Sequence, residues 1–171
     1  MIFEKRLTPD VTMDSFRGVT PEYLRSLGAA ALVSDIDNTL APYEDATPSE
    51  EVVRWAGALK DAGISLTLIS NNRRSRVEKF CRGLGCLSFA RVKKPSPKYI
   101  LIAMERMGSD RTNTVFLGDQ LLTDALAAHR AGLKAIIVPP IKDKKSLFFR
   151  AKRLIEKPYL KKYRKLHPSE E

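Results

Sequence analysis

Cysteine is almost missing from this 171-residue chain: Cys81 and Cys86 are the only two, which excludes a disulfide framework. Histidine is equally scarce, and His129 and His167 lie too far apart in sequence to complete a zinc site with those thiols. No apolar run approaches the roughly 20 residues that a membrane-spanning helix requires. The opening MIFEKRLTPD lacks the basic-then-apolar order of a secretory signal. With two reduced thiols, the expectation is a cytoplasmic protein. Internal repeats and low-complexity segments are absent as well. What remains is the composition of one folded domain, 43% hydrophobic and 29% charged. A chain of this length buries roughly two-thirds of its unfolded surface.

Acidic residues are also in deficit, 20 against 30 Lys and Arg, for a formal net charge of +10. The excess is local. Residues 142–165 hold 11 basic and 2 acidic side chains, so the remainder of the chain is close to neutral. A basic appendage on a balanced body implies an anionic partner for the tail, either nucleic acid or an acidic membrane surface.

Five short runs rich in Val, Ile and Leu read as strands covered on both faces: 30–34, 64–70, 87–90, 114–117 and 134–138. Helical patterns alternate with them. Thr47-Pro48-Ser49-Glu50 reads as a capping box opening a helix to about Gly63, and further helices are expected over 75–84, 96–107 and 121–131. This alternation predicts an α/β fold, a three-layer doubly wound parallel sheet with its ligand beyond the carboxyl ends of the strands. A short helix is expected near Thr20-Pro21-Glu22. After Pro139-Pro140, a basic helix carries Leu147, Phe148, Ala151, Leu154 and Ile155 on one face until Pro158 stops it. The expected organisation is an extension over 1–28, an α/β core over 29–140 and a basic amphipathic tail over 141–171.

Polar residues that do not belong in a core cluster at the strand ends. The first strand runs into Asp35-Ile36-Asp37-Asn38-Thr39, where two carboxylates two residues apart share one side of an extended segment. Their repulsion calls for a cation or a function. The second strand ends Ser70-Asn71-Asn72, a hydroxyl and backbone amides suited to an oxyanion. Lys93-Lys94-Pro95 precedes a helix, and the fourth strand ends Gly118-Asp119-Gln120 with Asp124 one turn on. Arg73, Arg74 and Arg76 read as a solvated helix face, with substrate contact the alternative.

Together DIDNT, ISNN, KKP and GDQLLTD, with Asp35, Ser70, Lys94 and Asp119 spaced 35, 24 and 25 residues apart, resemble the four motifs of the haloacid dehalogenase-like phosphatases. The resemblance covers roughly residues 32–139. It implies Asp35 as nucleophile and Asp37 as general acid and then base. It also implies Ser70 and the Asn71 backbone as phosphate holders, with Lys94 offsetting charge. For Mg²⁺ it implies Asp35, the Asp37 carbonyl, Asp119 and Asp124, hard oxygen donors that suit that ion. A proton-carrying residue at position 37 favours hydrolysis over the ATPase chemistry of relatives that have threonine there.

Only about seven residues follow the first motif before the next helix, and 23 separate Ser70 from Lys94, so a cap domain has no room. An open, capless site favours a bulky or surface-presented phosphate. DIDNTL, ISNN, GDQLLTD and the basic tail further resemble the YqeG family of subfamily IIIA, which is similar to phosphatidylglycerophosphate phosphatases. That resemblance implies a lipid phosphate monoester as substrate. The basic tail fits an enzyme held peripherally at the anionic inner face of a membrane through residues 142–165. Packing of its apolar stripe on the core is the competing expectation. A phosphatase of nucleic-acid ends or of phosphoproteins explains an open site too, and an RNA- or ribosome-associated binding protein is the reading outside enzymology. No nucleic-acid-binding motif supports the last, and no pattern in the sequence sets an oligomeric state.

Overall fold

The computed structural model of the protein describes residues 6–142 and 147–167; the start of the MIFEKRLTPD segment, residues 143–146 of the basic run, and the side chains of Leu147 and Phe148 lie outside the described residues. Six parallel strands form one sheet: β1 (Val11–Thr12), β2 (Ala31–Asp35), β3 (Ser65–Ile69), β4 (Leu87–Phe89), β5 (Thr114–Gly118) and β6 (Lys134–Ile137), in the spatial order β1-β6-β5-β2-β3-β4. β2 is central and all five of its residues are buried, which explains its unbroken apolar run. Side chains alternate across it: Leu32 and Ile36 enter one core, Val33 the other.

The first core lies under α1 (Pro21–Ser26), α2 (Glu50–Asp61) and α3 (Arg74–Cys81), with Leu24, Trp55, Leu59 and Phe80 at its centre. On the opposite face, α4 (Lys98–Met107) and α5 (Leu126–Ala131) cover Phe116, Ile69 and Ile137, and α6 (Leu147–Leu166) packs Tyr159 and Leu160 against them. The doubly wound α/β expectation therefore holds. Local signals explain most boundaries. The Thr20 side chain accepts from the Tyr23 amide and Pro21 takes the first turn of α1. Gly108, at a φ of 64°, ends α4 in the left-handed conformation that a glycine adopts freely.

Three expectations need correction. Ser49, rather than Thr47, caps α2, its hydroxyl accepting from the Val52 amide at 3.3 Å, because that start brings Val52, Trp55 and Leu59 onto the core. Pro158 does not stop α6, which continues to Leu166. Pro158 is exposed, while buried Glu156 before it and buried Tyr163 after it hold the helix on course. Finally, the competing expectation that the apolar stripe packs on the core fails, since Leu154 and Ile155 are 65% and 53% exposed and Ala151 is exposed as well. The docked face is instead Glu156, Tyr159, Leu160 and Tyr163, again at helical spacing. Glu156 is 1% exposed and accepts from the Leu122 amide at 3.1 Å, where the chain enters the turn carrying Asp124.

β1 is invisible to periodicity because it has only two residues. It is held by a side-chain clamp. His129 sits 2.7 Å from both the Arg6 carbonyl and Asp10, whose carboxylate also accepts from the Ala135 amide of β6. Both ring partners are acceptors, so only the doubly protonated imidazolium satisfies both. Burial opposes the charge, but these bonds hold His129 above its ordinary value. Burial likewise pushes Asp10 up, and the bonds to His129 and Ala135 outweigh it, leaving Asp10 low.

The sign of the pH effect follows. The His129 contribution is full below 6.5 and fades as pH rises through the raised folded value. The Asp10 contribution is full above 3.8 and fades as pH falls through the lowered one. Thermal melts of wild type and His129→Gln should therefore differ most between those limits and converge as pH rises through the raised folded value of His129. A constant difference across that range would refute the clamp.

Candidate active site

The carboxyl ends of β2, β3 and β5 meet the loop before α4 around an open cleft of about 350 Å³, lined among others by Asp35, Asp37, Ser70, Asn71 and Lys94. Asp35 closes β2 and is buried, with Thr39 donating to its Oδ2 at 3.0 Å. The chain then turns at Asn38, whose φ of 68° lies in the left-handed region that asparagine tolerates, and its amide bonds the Ala41 carbonyl at 2.7 Å. This tight loop stands where a cap insertion would branch, and its few residues leave the cleft open.

Lys94 enters from the far side. Its ammonium contacts Asp35 and lies 2.7 Å from Asp124, and its side chain is 4% exposed. Asn71 holds this lysine by its backbone, accepting from the Lys94 amide at 2.7 Å and donating to its carbonyl at 3.3 Å. With its side chain so committed, what Asn71 can turn to the cleft is its main chain. Ser70 donates to Asp37 Oδ2 at 3.0 Å and accepts from the Asn72 amide.

Asp35, Asp119 and Asp124 are all buried, and one oxygen from each lies within 4.8 Å of the others. Asp124 is fixed from below: its Oδ2 accepts from the amides of Asp119 and Gln120 at 3.1 Å each. A widened, π-helical turn over Leu121–Ala125 supplies this placement. Gly118 permits it, because a Cβ at that position would stand 2.5 Å from the Asp124 side chain. Alanine there would displace Asp124.

The electrostatics follow from burial. Loss of water pushes the Asp35 carboxyl up to about 7; Lys94 opposes the rise, while Asp124 and Asp37 add to it. Burial works against the Lys94 charge, yet Asp124 and Asp35 hold it above its ordinary value. Three buried carboxylates against one ammonium leave excess negative charge. An all-oxygen donor set in that state fits a hard divalent cation.

All of the residues singled out in the sequence thus gather at one strand-end cluster: Asp35, Asp37, Ser70, Asn71, Lys94, Asp119 and Asp124. Sequence reasoning left others unassigned. Arg76 pairs with Asp37 at 3.1 Å instead of lying on a solvated face, and Asn72 reaches Asp37 at 3.4 Å. The one available signal for Arg76 was its position, one helical turn beyond the second motif. Thr39, within the first motif, and Glu156, in a basic helix, carried no local signal of a role.

Compared with known proteins, residues 5–132 match a family described as haloacid dehalogenase-like hydrolase. The chain is 30% identical over 156 residues to "Probable phosphatase YqeG" of Bacillus subtilis, with 91% of each chain covered. Among solved structures, the cobalt-bound deoxy-D-mannose-octulosonate 8-phosphate phosphatase YrbI of Haemophilus influenzae is similar with a TM-score of 0.55 and 15% identity, over 80% of this chain and 90% of that one. A structure described as "putative HAD superfamily (subfamily III A) hydrolase from Legionella pneumophila" gives a TM-score of 0.51 at 19% identity, over 73% and 76% of the two chains. The last two likenesses concern the fold.

Proposed function

The chain belongs to the haloacid dehalogenase-like hydrolases and is a phosphatase of the YqeG kind; from that premise we propose that it hydrolyses phosphomonoesters through an aspartyl-phosphate on Asp35, with a lipid phosphate such as phosphatidylglycerophosphate as substrate. The observation that carries the mechanism is the convergence of Asp35, Asp37, Ser70 and Lys94 on one uncapped cleft.

Asp35 attacks phosphorus, and Asp37 gives a proton to the departing oxygen. Asp37 then takes a proton from the water that attacks the aspartyl-phosphate and releases inorganic phosphate. Ser70 and the amides after it hold phosphoryl oxygens, so a substrate replaces the Ser70 to Asp37 hydrogen bond of the resting site. Lys94, already touching Asp35, offsets the charge of the transferring group. Mg²⁺ would be held by Asp35, Asp119, Asp124 and the Asp37 carbonyl; when bound it neutralises the carboxylates and polarises the phosphoryl group.

Two features support the lipid. The cleft is open, so a phosphate presented at a surface can reach it. Helix α6 docks through one face and turns Leu154 and Ile155 outward beside exposed Lys157, Lys161, Lys162 and Lys165, the pairing that an anionic bilayer surface receives. None of the described helices is long and apolar enough to cross a membrane, so this contact is peripheral.

A phosphate-release panel with Mg²⁺ tests the reading, using phosphatidylglycerophosphate in anionic vesicles beside nucleotide, sugar, nucleic-acid-end and phosphoprotein substrates. Lipid turnover should be preferred, and Leu154→Glu with Ile155→Glu should lower it on vesicles while sparing detergent-dispersed lipid. Turnover of soluble esters with none on vesicles overturns the lipid assignment. Preference for nucleic-acid ends reassigns the substrate to nucleic acid.

A further inference from the structure

We propose that Arg76 is a positioning residue for Asp37, pinning one carboxyl oxygen so that the other is aimed at the oxygen of the leaving group. The inference rests on the acid and base role of Asp37 proposed above.

Arg76 stands in the first turn of α3. Its Nη2 donates to Asp37 Oδ1 at 3.1 Å and lies 3.5 Å from the Pro42 carbonyl. Nε and Nη1 are buried without a hydrogen-bond partner, and the guanidinium lies 5.3 Å from the centre of the Phe80 ring. Surface arginines keep their five N–H groups wetted or paired. This one is 11% exposed and gives up that solvation for a single carboxylate. Its buried nitrogens cannot be reached from the cleft, so Arg76 acts on substrate through Asp37. The guanidinium carbon lies over the ring of Phe80, a cation–π contact that holds the plane of the group in place.

The two oxygens of Asp37 have divided partners. Oδ1 takes Arg76, whereas Oδ2 takes Ser70 at 3.0 Å and Asn72 at 3.4 Å. A hydroxyl has one proton to donate. When Ser70 gives it to a phosphoryl oxygen, Asp37 Oδ2 keeps only the long contact with Asn72 while Oδ1 stays on Arg76. The carboxyl is then fixed about one oxygen with the other turned to the cleft. Freed of the Ser70 proton, Oδ2 takes up a proton from solvent in the open cleft; as the bond from Asp35 to phosphorus forms and the bond from phosphorus to the leaving oxygen breaks, that proton passes to the leaving oxygen. The carboxylate left behind is already paired with a guanidinium.

The chemistry supplies a selective readout. A weakly basic leaving group such as p-nitrophenolate departs without a proton, whereas an alkoxide does not. The constant kcat/KM reports the steps through departure of the leaving group. It should be measured with p-nitrophenyl phosphate and glycerol phosphate for wild type, Arg76→Met, Arg76→Lys and Asp37→Asn. Methionine fills much of the same volume without a charge, and lysine restores a charge and one hydrogen bond.

Positioned acid catalysis is worth about 10² to 10⁴ in rate. Arg76→Met should therefore lose at least about tenfold more on the alkyl ester than on the aryl ester. Arg76→Lys should narrow that gap, and Asp37→Asn should show the same selectivity more strongly. Equal losses on both esters in the Arg76 variants, with Asp37→Asn still selective, overturn the role of Arg76 alone. An Asp37→Asn enzyme with no selectivity overturns the acid role of Asp37 and the positioning role with it. Circular dichroism establishes folding, and if the methionine variant fails to fold, a lysine variant that loses activity equally on both esters overturns the proposal by itself.

Discussion

Asp35→Asn is expected to abolish turnover and, in the absence of metal, to raise the melting temperature at pH 8. The first effect follows from the chemistry: an amide cannot form the aspartyl-phosphate, and losing a nucleophile costs a factor on the order of 10⁴ to 10⁶. The second follows from burial, which pushes the Asp35 carboxyl up to about 7 from 3.8. A raised folded value means a stability contribution present in full below 3.8 and lost as pH rises through about 7. At pH 8 the native protein without metal therefore carries the cost of a buried charge beside Asp124 and Asp37, which asparagine removes. Asparagine is also nearly isosteric and can still accept from Thr39. Mg²⁺ should stabilise wild type more than the variant, and the advantage of the variant should shrink at pH 5. Calorimetry with and without Mg²⁺, beside a phosphate-release assay, checks both halves. A lower melting temperature without metal at pH 8 would overturn the electrostatic account.

Lys94→Met should have the largest cost in stability. The side chain is 4% exposed and its ammonium joins Asp35 to Asp124. Methionine fills most of the volume but leaves two buried carboxylates without their cation. Breaking a buried pair from one side costs roughly 3–5 kcal/mol, or about 10 °C in melting temperature for a chain of this size. Activity should fall by about 10² to 10³, since a fixed charge facing the transferring group is removed. Mg²⁺ should recover part of the stability and little of the activity, because it can neutralise the carboxylates without occupying the position of the ammonium. Arginine should rescue poorly, since its planar fork does not fit a slot shaped for a compact ammonium. A melting temperature within about 2 °C of wild type would contradict the pairing.

The core and the strand-end chemistry were legible for one shared reason. Buried parallel strands read as unbroken apolar runs, so Asp35, Ser70 and Asp119 announce themselves by ending such runs, and the doubly wound topology places those ends together. Contacts across long sequence separations were not legible. Arg76 meets Asp37 from 39 residues away and Glu156 meets Leu122 from 34, and neither has a local pattern that names its partner. The tail shows the limit of periodicity most plainly. Its spacing indicated an amphipathic helix, and a helix forms, but two apolar stripes overlap in it. Reading by hydrophobicity selected Leu154 and Ile155. The fold selected Glu156, Tyr159, Leu160 and Tyr163, because the Leu122 amide donates to a buried glutamate there, a bond that a leucine could not accept.

By itself the sequence determined the α/β class, the four motifs, the lack of a cap and the concentration of charge in the tail, since each depends on residue order within one short segment. Tertiary structure alone decided that Lys94 bridges Asp35 to Asp124, that Arg76 holds Asp37, that a two-residue strand clamped by His129 completes the sheet, and that α6 offers Leu154 and Ile155 to solvent. The physical reason is the same in each case. Desolvation sets the worth of a charge or a hydrogen bond, and what is desolvated is fixed only when distant segments pack.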